Sequence, residues 1–128
     1  MPKQTDAHRN LQYVNTKQGR FRSLVRGAKA SANKRGQVFA ITYEDICLLW
    51  IEQKGKCAYT GWDMDAITGS NTVVSIERID NTLGYLTGNC ILVCWCANRA
   101  RSTLDFTFFK EMCKAISNKK DILQKDKE

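Results

Sequence analysis

Residues 73 to 101 read V-V-S-I-E-R-I-D-N-T-L-G-Y-L-T-G-N-C-I-L-V-C-W-C-A-N-R-A-R. Val73, Val74, Ile76 and Ile79 form the β-branched run of a strand. Asn81, Gly84 and Gly88 punctuate a return before a second apolar run, Cys90 to Cys94. A helix opening with Asn98 is expected next. If Gly84 to Asn89 forms the turn, Glu77 at the end of the first strand comes back beside the start of the helix that carries Asn98. A hard divalent cation takes oxygen ligands and keeps several waters, so two rigid protein oxygens suffice, and Glu77 and Asn98 are candidates for them. A carboxylate at a strand end and an asparagine in a first helical turn also serve as a surface charge and a helix cap. The residues alone leave both readings open.

Outward from this stretch the pattern is helical on both sides. From Gly19 to Asn33, the apolar or small residues Phe21, Leu24, Val25, Ala28 and Ala32 recur at three- and four-residue steps, and Arg35-Gly36 ends the run. After an extended piece, Gln37 to Ile41, Thr42 begins a second helix with Asp45 three positions on, a variant capping box. Its Ile46, Cys47, Leu49, Trp50 and Ile51 are expected to face the core. Downstream, Leu104, Phe106, Phe108, Phe109, Met112, Cys113 and Ile116 suit a helix that covers the strand pair.

Charge is unevenly placed. The chain has 128 residues and a net charge of +7. Residues 1 to 36 hold nine lysines and arginines against one acid, and the other 92 hold eleven against twelve. Such a basic arm is the electrostatic footprint of a nucleic-acid partner, and a charged, solvated leader is the plainer alternative. The first ten residues have no apolar core of a secretory signal, and no apolar run is long enough to cross a bilayer. With six cysteines and no leader, reduced thiols and a cytoplasmic location are expected, without membrane contact.

Several segments together resemble HNH endonucleases, especially small phage-encoded ones. They are G-K-C-A-Y-T-G at Gly55 to Gly61, S-I-E-R-I-D-N at Ser75 to Asn81, G-Y at Gly84-Tyr85, N-C-I-L-V-C at Asn89 to Cys94 and A-N-R-A-R at Ala97 to Arg101. Upstream, Ala28 to Gly36, Phe39 to Thr42 and Leu49 to Gly55 match as well. The likeness spans roughly residues 20 to 117. It implies an α+β fold: a ββα-metal motif packed between flanking helices, with a basic N-terminal helical arm. Three segments follow: an arm and helix (1–36), an HNH-like domain (37–117) and a charged tail (118–128).

The chain departs from the common HNH pattern twice. Where the first strand usually ends Asp-His, with histidine as general base, this chain has Glu77-Arg78, and arginine stays protonated. The sole histidine, His8, lies far from the motif. The resemblance then implies Arg78 on the scissile phosphate, with Asp80, Tyr85 or water as base. Relatives also carry two Cys-x-x-Cys pairs around a structural zinc; here each pair has lost a cysteine, leaving Cys57 and Cys94 as remnants, and no zinc is expected. Packing around Trp50, Tyr59, Trp62 and Trp95 is expected to replace it.

The reading is a metal-dependent nucleic-acid phosphodiesterase, a DNA endonuclease or nickase. Glu77 and Asn98 hold one Mg²⁺ or Mn²⁺, and Glu77, Arg78 and Asp80 are the catalytic residues. Arg20, Arg22, Arg26, Lys29, Lys34, Arg35, Arg99 and Arg101 contact nucleic acid, and Asn89 braces the turn. DNA is the expected partner, RNA stays open, and the site of action is the host cytoplasm if a phage encodes the chain. The alternative is an inactive module that binds DNA or a host protein.

Overall fold

In the computed structural model, residues 16–67 and 69–119 are described. His8, the start of the basic arm and the tail from 120 onward lie outside them. Helix α1 spans Lys17–Arg35, capped by Thr16 Oγ1 accepting from Gly19 N and closed by Gly36 at a left-handed φ of 66°. Helix α2, Tyr43–Glu52, has the full capping box between Thr42 and Asp45. Strands β1, Val74–Arg78, and β2, Cys90–Cys94, pair antiparallel with Glu77 opposite Ile91. A single 3₁₀ turn, Thr87–Asn89, leads into β2. Helix α3, Trp95–Arg101, follows β2 directly, and α4, Phe106–Asn118, is capped by Asp105.

One core joins these elements. Phe21, Ala28 and Ala32 of α1 and Ile46 of α2 pack with Val74, Ile76, Leu92 and Val93 of the hairpin. Both strands are buried along nearly their whole length, with α1, α2 and α3 packed on the hairpin; β2 is accordingly a continuous apolar run, whereas β1 carries Ser75, Glu77 and Arg78. Gln53, just past α2, secures the β2 edge: Oε1 accepts from Leu92 N at 3.0 Å and Nε2 donates to Leu92 O at 2.8 Å.

Several sequence expectations shift. Helix α3 starts at Trp95, so Asn98 is its fourth residue. The first N–H groups of α3 are taken by Val73 O, 2.8 Å from Trp95 N, and Asn71 O, 3.0 Å from Cys96 N, which lets the helix begin without a side-chain cap. Trp62 and Trp95 are 57% and 40% exposed and do not fill the place of a zinc centre. Trp50 packs on Phe21, and Tyr59 stacks on Phe106 at 4.8 Å. Ile51 points to solvent, since α2 presents only the Ile46 side to the core. In α4 Phe106, Phe109 and Met112 are at least half-buried, whereas Phe108, Cys113 and Ile116 are exposed.

The knuckle at Cys57 is closed by hydrogen bonds. Cys57 Sγ accepts from Cys94 N at 3.2 Å and from Thr60 N at 3.4 Å. Burial alone would push the Cys57 thiol up, but these donors hold it below its ordinary value. Burial, with Cys57 alongside, pushes Cys94 up to about 12.

The close approach of the 38–41 segment to the return loop depends on Gly84. Tyr85 N donates to Val38 O at 2.9 Å, and a Cβ on Gly84 would collide with the Val38 backbone. Gly84→Ala is expected to cost roughly 1–3 kcal/mol, read as a lower denaturation midpoint in urea.

Candidate metal and nucleic-acid site

The end of β1, the second half of α3 and the C-terminal turn of α1 line a polar cleft of about 490 Å³. Glu77, Arg78 and Asn98 all line it, with Ser31, Arg35, Asn81, Tyr85, Arg99, Ser102 and Thr103. The strand end and the helix therefore bring Glu77 and Asn98 to one cleft.

Asn98 is held from behind. Its Nδ2 donates to Ser75 Oγ at 2.9 Å and to Ile76 O at 3.0 Å, so the amide is pinned to β1 by its nitrogen and its Oδ1 remains as an acceptor. Glu77 is buried, and its Oε1 accepts from Arg78 N at 3.2 Å. Among the described residues its Oε2 has no partner at hydrogen-bond geometry; Arg101 Nη1 stands at 3.8 Å, and the Tyr59 hydroxyl also acts to lower the carboxyl's pKa. Burial raises the Glu77 pKa above the usual carboxylate range, and Arg101 offsets only part of that. A buried carboxylate oxygen without a donor is costly to maintain unless something charged answers it.

Arg78 is braced. Its Nη1 donates to Gln37 Oε1, to Asn81 O at 3.1 Å and to Leu83 O at 3.2 Å, and its guanidinium lies 5.3 Å from the Tyr85 ring centroid. Gln37 was not singled out from the sequence: it binds Asn81 O through Nε2 as well, and it joins the α1–α2 connection to the cleft. An isolated polar residue in an extended piece carries no periodic signal that would reveal this.

Three expected site residues sit elsewhere. Arg101 is 1% exposed and turned inward, so it does not reach a phosphate. Its Nε donates to Leu104 O, Nη1 to Arg78 O and Tyr59 Oη, and Nη2 to Ile79 O, all at 2.7–2.9 Å. It is the strut between β1, α3 and the knuckle. Tyr59, half-buried and affected by the Glu77 charge, is pushed up to about 12, chiefly by desolvation, and stays a phenol. Asp80 is exposed, does not line the cleft, and spends its Oδ1 on Thr82 N and Oγ1, which hold its pKa down. Arg20 is drawn onto β1, with Nη2 on Val74 O at 3.1 Å, and burial lowers its pKa. Asn89 does brace the loop: Oδ1 accepts from Asp80 N, and Nδ2 donates to Asp80 O and Gly84 O.

The remaining basic residues divide. Arg35 and Arg99 are exposed on the cleft rim. Arg22, Arg26 and Lys29 form a stripe about 170° around α1 from Ser31 and Arg35, at 3.6 residues per turn. Arg22 lies 3.9 Å over the Tyr43 ring. Lys34 is exposed between these two groups. Among the described residues, no three His, Cys, Asp or Glu side chains converge as a metal site, and no helix is long and apolar enough to cross a membrane.

No family model matches the chain. It is 40% identical over 90 residues to an uncharacterised protein of Acanthamoeba polyphaga mimivirus, a stretch covering 70% of this chain and 16% of that protein. The chain thus spans about a sixth of the length of the relative it matches. Among solved structures it is similar to the rare-cutting HNH restriction endonuclease PacI, with a TM-score of 0.54 and 20% identity over 72% of each chain. Two antiparallel strands feeding a short helix, set among further helices, make this an α+β chain with an HNH-like fold.

Proposed function

We propose that the chain is a divalent-metal-dependent phosphodiesterase that cuts DNA at the 77–98 cleft. The observation that carries this reading is the buried Glu77 carboxylate, whose Oε2 has no hydrogen-bond partner among the described residues, in a residue that lines the same cleft as Asn98. The donor set fits a hard cation: one anionic oxygen, one neutral oxygen fixed through its own amide nitrogen, and polar space for water and phosphate. Bound there, Mg²⁺ or Mn²⁺ would supply positive charge to the phosphate and acidify nearby water.

The chain's own residues do the rest. Arg78, braced by Gln37 and two carbonyls, presents a cation whose position is fixed before substrate arrives, so little reorganisation is needed as charge develops. Arg35 and Arg99 on the rim meet flanking phosphates. Charge reversal at Arg35 and Arg99 is expected to weaken DNA binding and flatten its salt dependence more than reversal at Arg22 and Arg26, measured by binding titrations at several salt concentrations. The viral relative fits an origin in a phage or virus genome.

A second reading is favoured by one observation: among the described residues neither a histidine nor a second carboxylate lines the cleft, and an arginine stands next to Glu77. On it, the fold binds DNA without cutting. Supercoiled plasmid incubated with Mg²⁺, Mn²⁺ or chelator separates the two. Nicking that needs metal and disappears in Asn98→Ala supports the enzyme; a mobility shift without nicking under every metal supports the binding module.

A further inference from the structure

Trp95 opens the helix whose Asn98 and Arg99 line the cleft, yet its indole is 40% exposed. It is held firmly nonetheless. The backbone N–H groups of Trp95 and Cys96 donate to Val73 O and Asn71 O, which fixes the segment before β1 alongside the start of α3. Arg99, one turn on, sets its guanidinium 5.3 Å from the indole centroid. Trp95 also lines a second depression, about 360 Å³, with Arg20, Gly69, Ser70, Asn71 and Val73. Arg20 is fixed there by its bond to Val74 O, and among the described residues no acidic one lines the depression. An aromatic face, two cations and small polar groups are the chemistry that holds an unpaired base and its phosphates. Arg99 links the two places, since it lines the cleft and lies on Trp95.

We propose that Trp95 is a stacking platform for one unstacked nucleobase of the bound strand, seated in this second depression beside Arg20. The proposal rests on the nucleic-acid reading of the cleft and extends it to a flanking nucleotide. Arg99 holds the strand between cleft and platform, and Arg20 meets the phosphate next to the stacked base.

The test is fluorescence anisotropy of the full chain with labelled single-stranded DNA, with Ca²⁺ replacing Mg²⁺ to hold back cleavage. Wild type, Trp95→Phe and Trp95→Leu are each titrated with an intact oligonucleotide and with a set in which one abasic position moves along the strand. Trp95→Leu is expected to bind about tenfold more weakly and Trp95→Phe to keep most of the affinity. One abasic position is expected to weaken wild type and Trp95→Phe but not Trp95→Leu. Equal binding by wild type and Trp95→Leu, or abasic effects the same in all three, overturns the platform and leaves the cleft reading standing. No DNA binding by wild type overturns both. If Trp95→Leu melts early, the abasic series on wild type and Trp95→Phe decides alone: sensitivity at one position supports the platform, and uniform insensitivity overturns it.

Discussion

Glu77→Gln is expected to lower metal-dependent cleavage on the order of a thousandfold while leaving the fold intact. Glutamine keeps the shape and the acceptor for Arg78 N but removes the negative charge that a cation would answer. Single-turnover cleavage of plasmid, with circular dichroism as the check on folding, measures it. The same carboxylate sets a pH dependence. Burial lifts the Glu77 pKa, so the anionic form is lost at a higher pH than for an ordinary carboxylate, and cleavage should decline on acidification earlier than a surface carboxylate would dictate. For the metal-free protein the stability sign is the reverse. The folded state holds this proton more tightly than the unfolded state, so Glu77's contribution is greatest below the unfolded carboxylate pKa. It is lost as pH rises through the raised folded value. A thermal melt series across the acidic range, with and without Mn²⁺, reads both trends.

Arg101→Met is expected to cost about 3–5 kcal/mol of folding stability, a large share of the ~5–15 kcal/mol that a domain usually has. The change removes four hydrogen bonds and leaves Leu104 O, Arg78 O and Ile79 O without this donor. It also leaves Glu77 buried without its nearest cation. Urea unfolding measures the loss. Arg101→Lys keeps the charge but cannot reach acceptors on the knuckle, β1 and the loop after α3 together, so it should fall between methionine and wild type. A residue that merely touched DNA would show the opposite pattern, weaker binding at unchanged stability.

The contrast between Arg99 and Arg101 shows what the sequence makes legible. The order strand, turn, strand, helix was readable because the β-branched runs and the glycines at 84 and 88 punctuate it, and the caps at Thr42 and Gly36 follow from local chemistry. That order also puts Glu77 and Asn98 among the residues lining one cleft. Which arginines face solvent did not, because two arginines two positions apart on a short helix point to different sides, and only the packing of Tyr59 and β1 selects the buried one. Asp80 looked catalytic by its place after Arg78, yet an aspartate two residues before a threonine closes its own turn just as readily. Gln37 escaped notice for the opposite reason: its role is made wholly by the tertiary approach of the 37–41 segment to the loop at 81–85. The lost cysteines suggest tryptophan packing in place of a zinc centre, yet Trp50 alone of the three packs on a core ring, and Trp62 and Trp95 stand half in solvent.

The most direct test of the metal centre is anomalous diffraction from crystals of the protein soaked in Mn²⁺. A single peak within about 2.0–2.3 Å of both Glu77 Oε2 and Asn98 Oδ1, absent in Glu77→Gln crystals, is the predicted result. Mn²⁺ bound only elsewhere, or a cleft without a peak at saturating Mn²⁺ and with Glu77 closed onto Arg101, would contradict it.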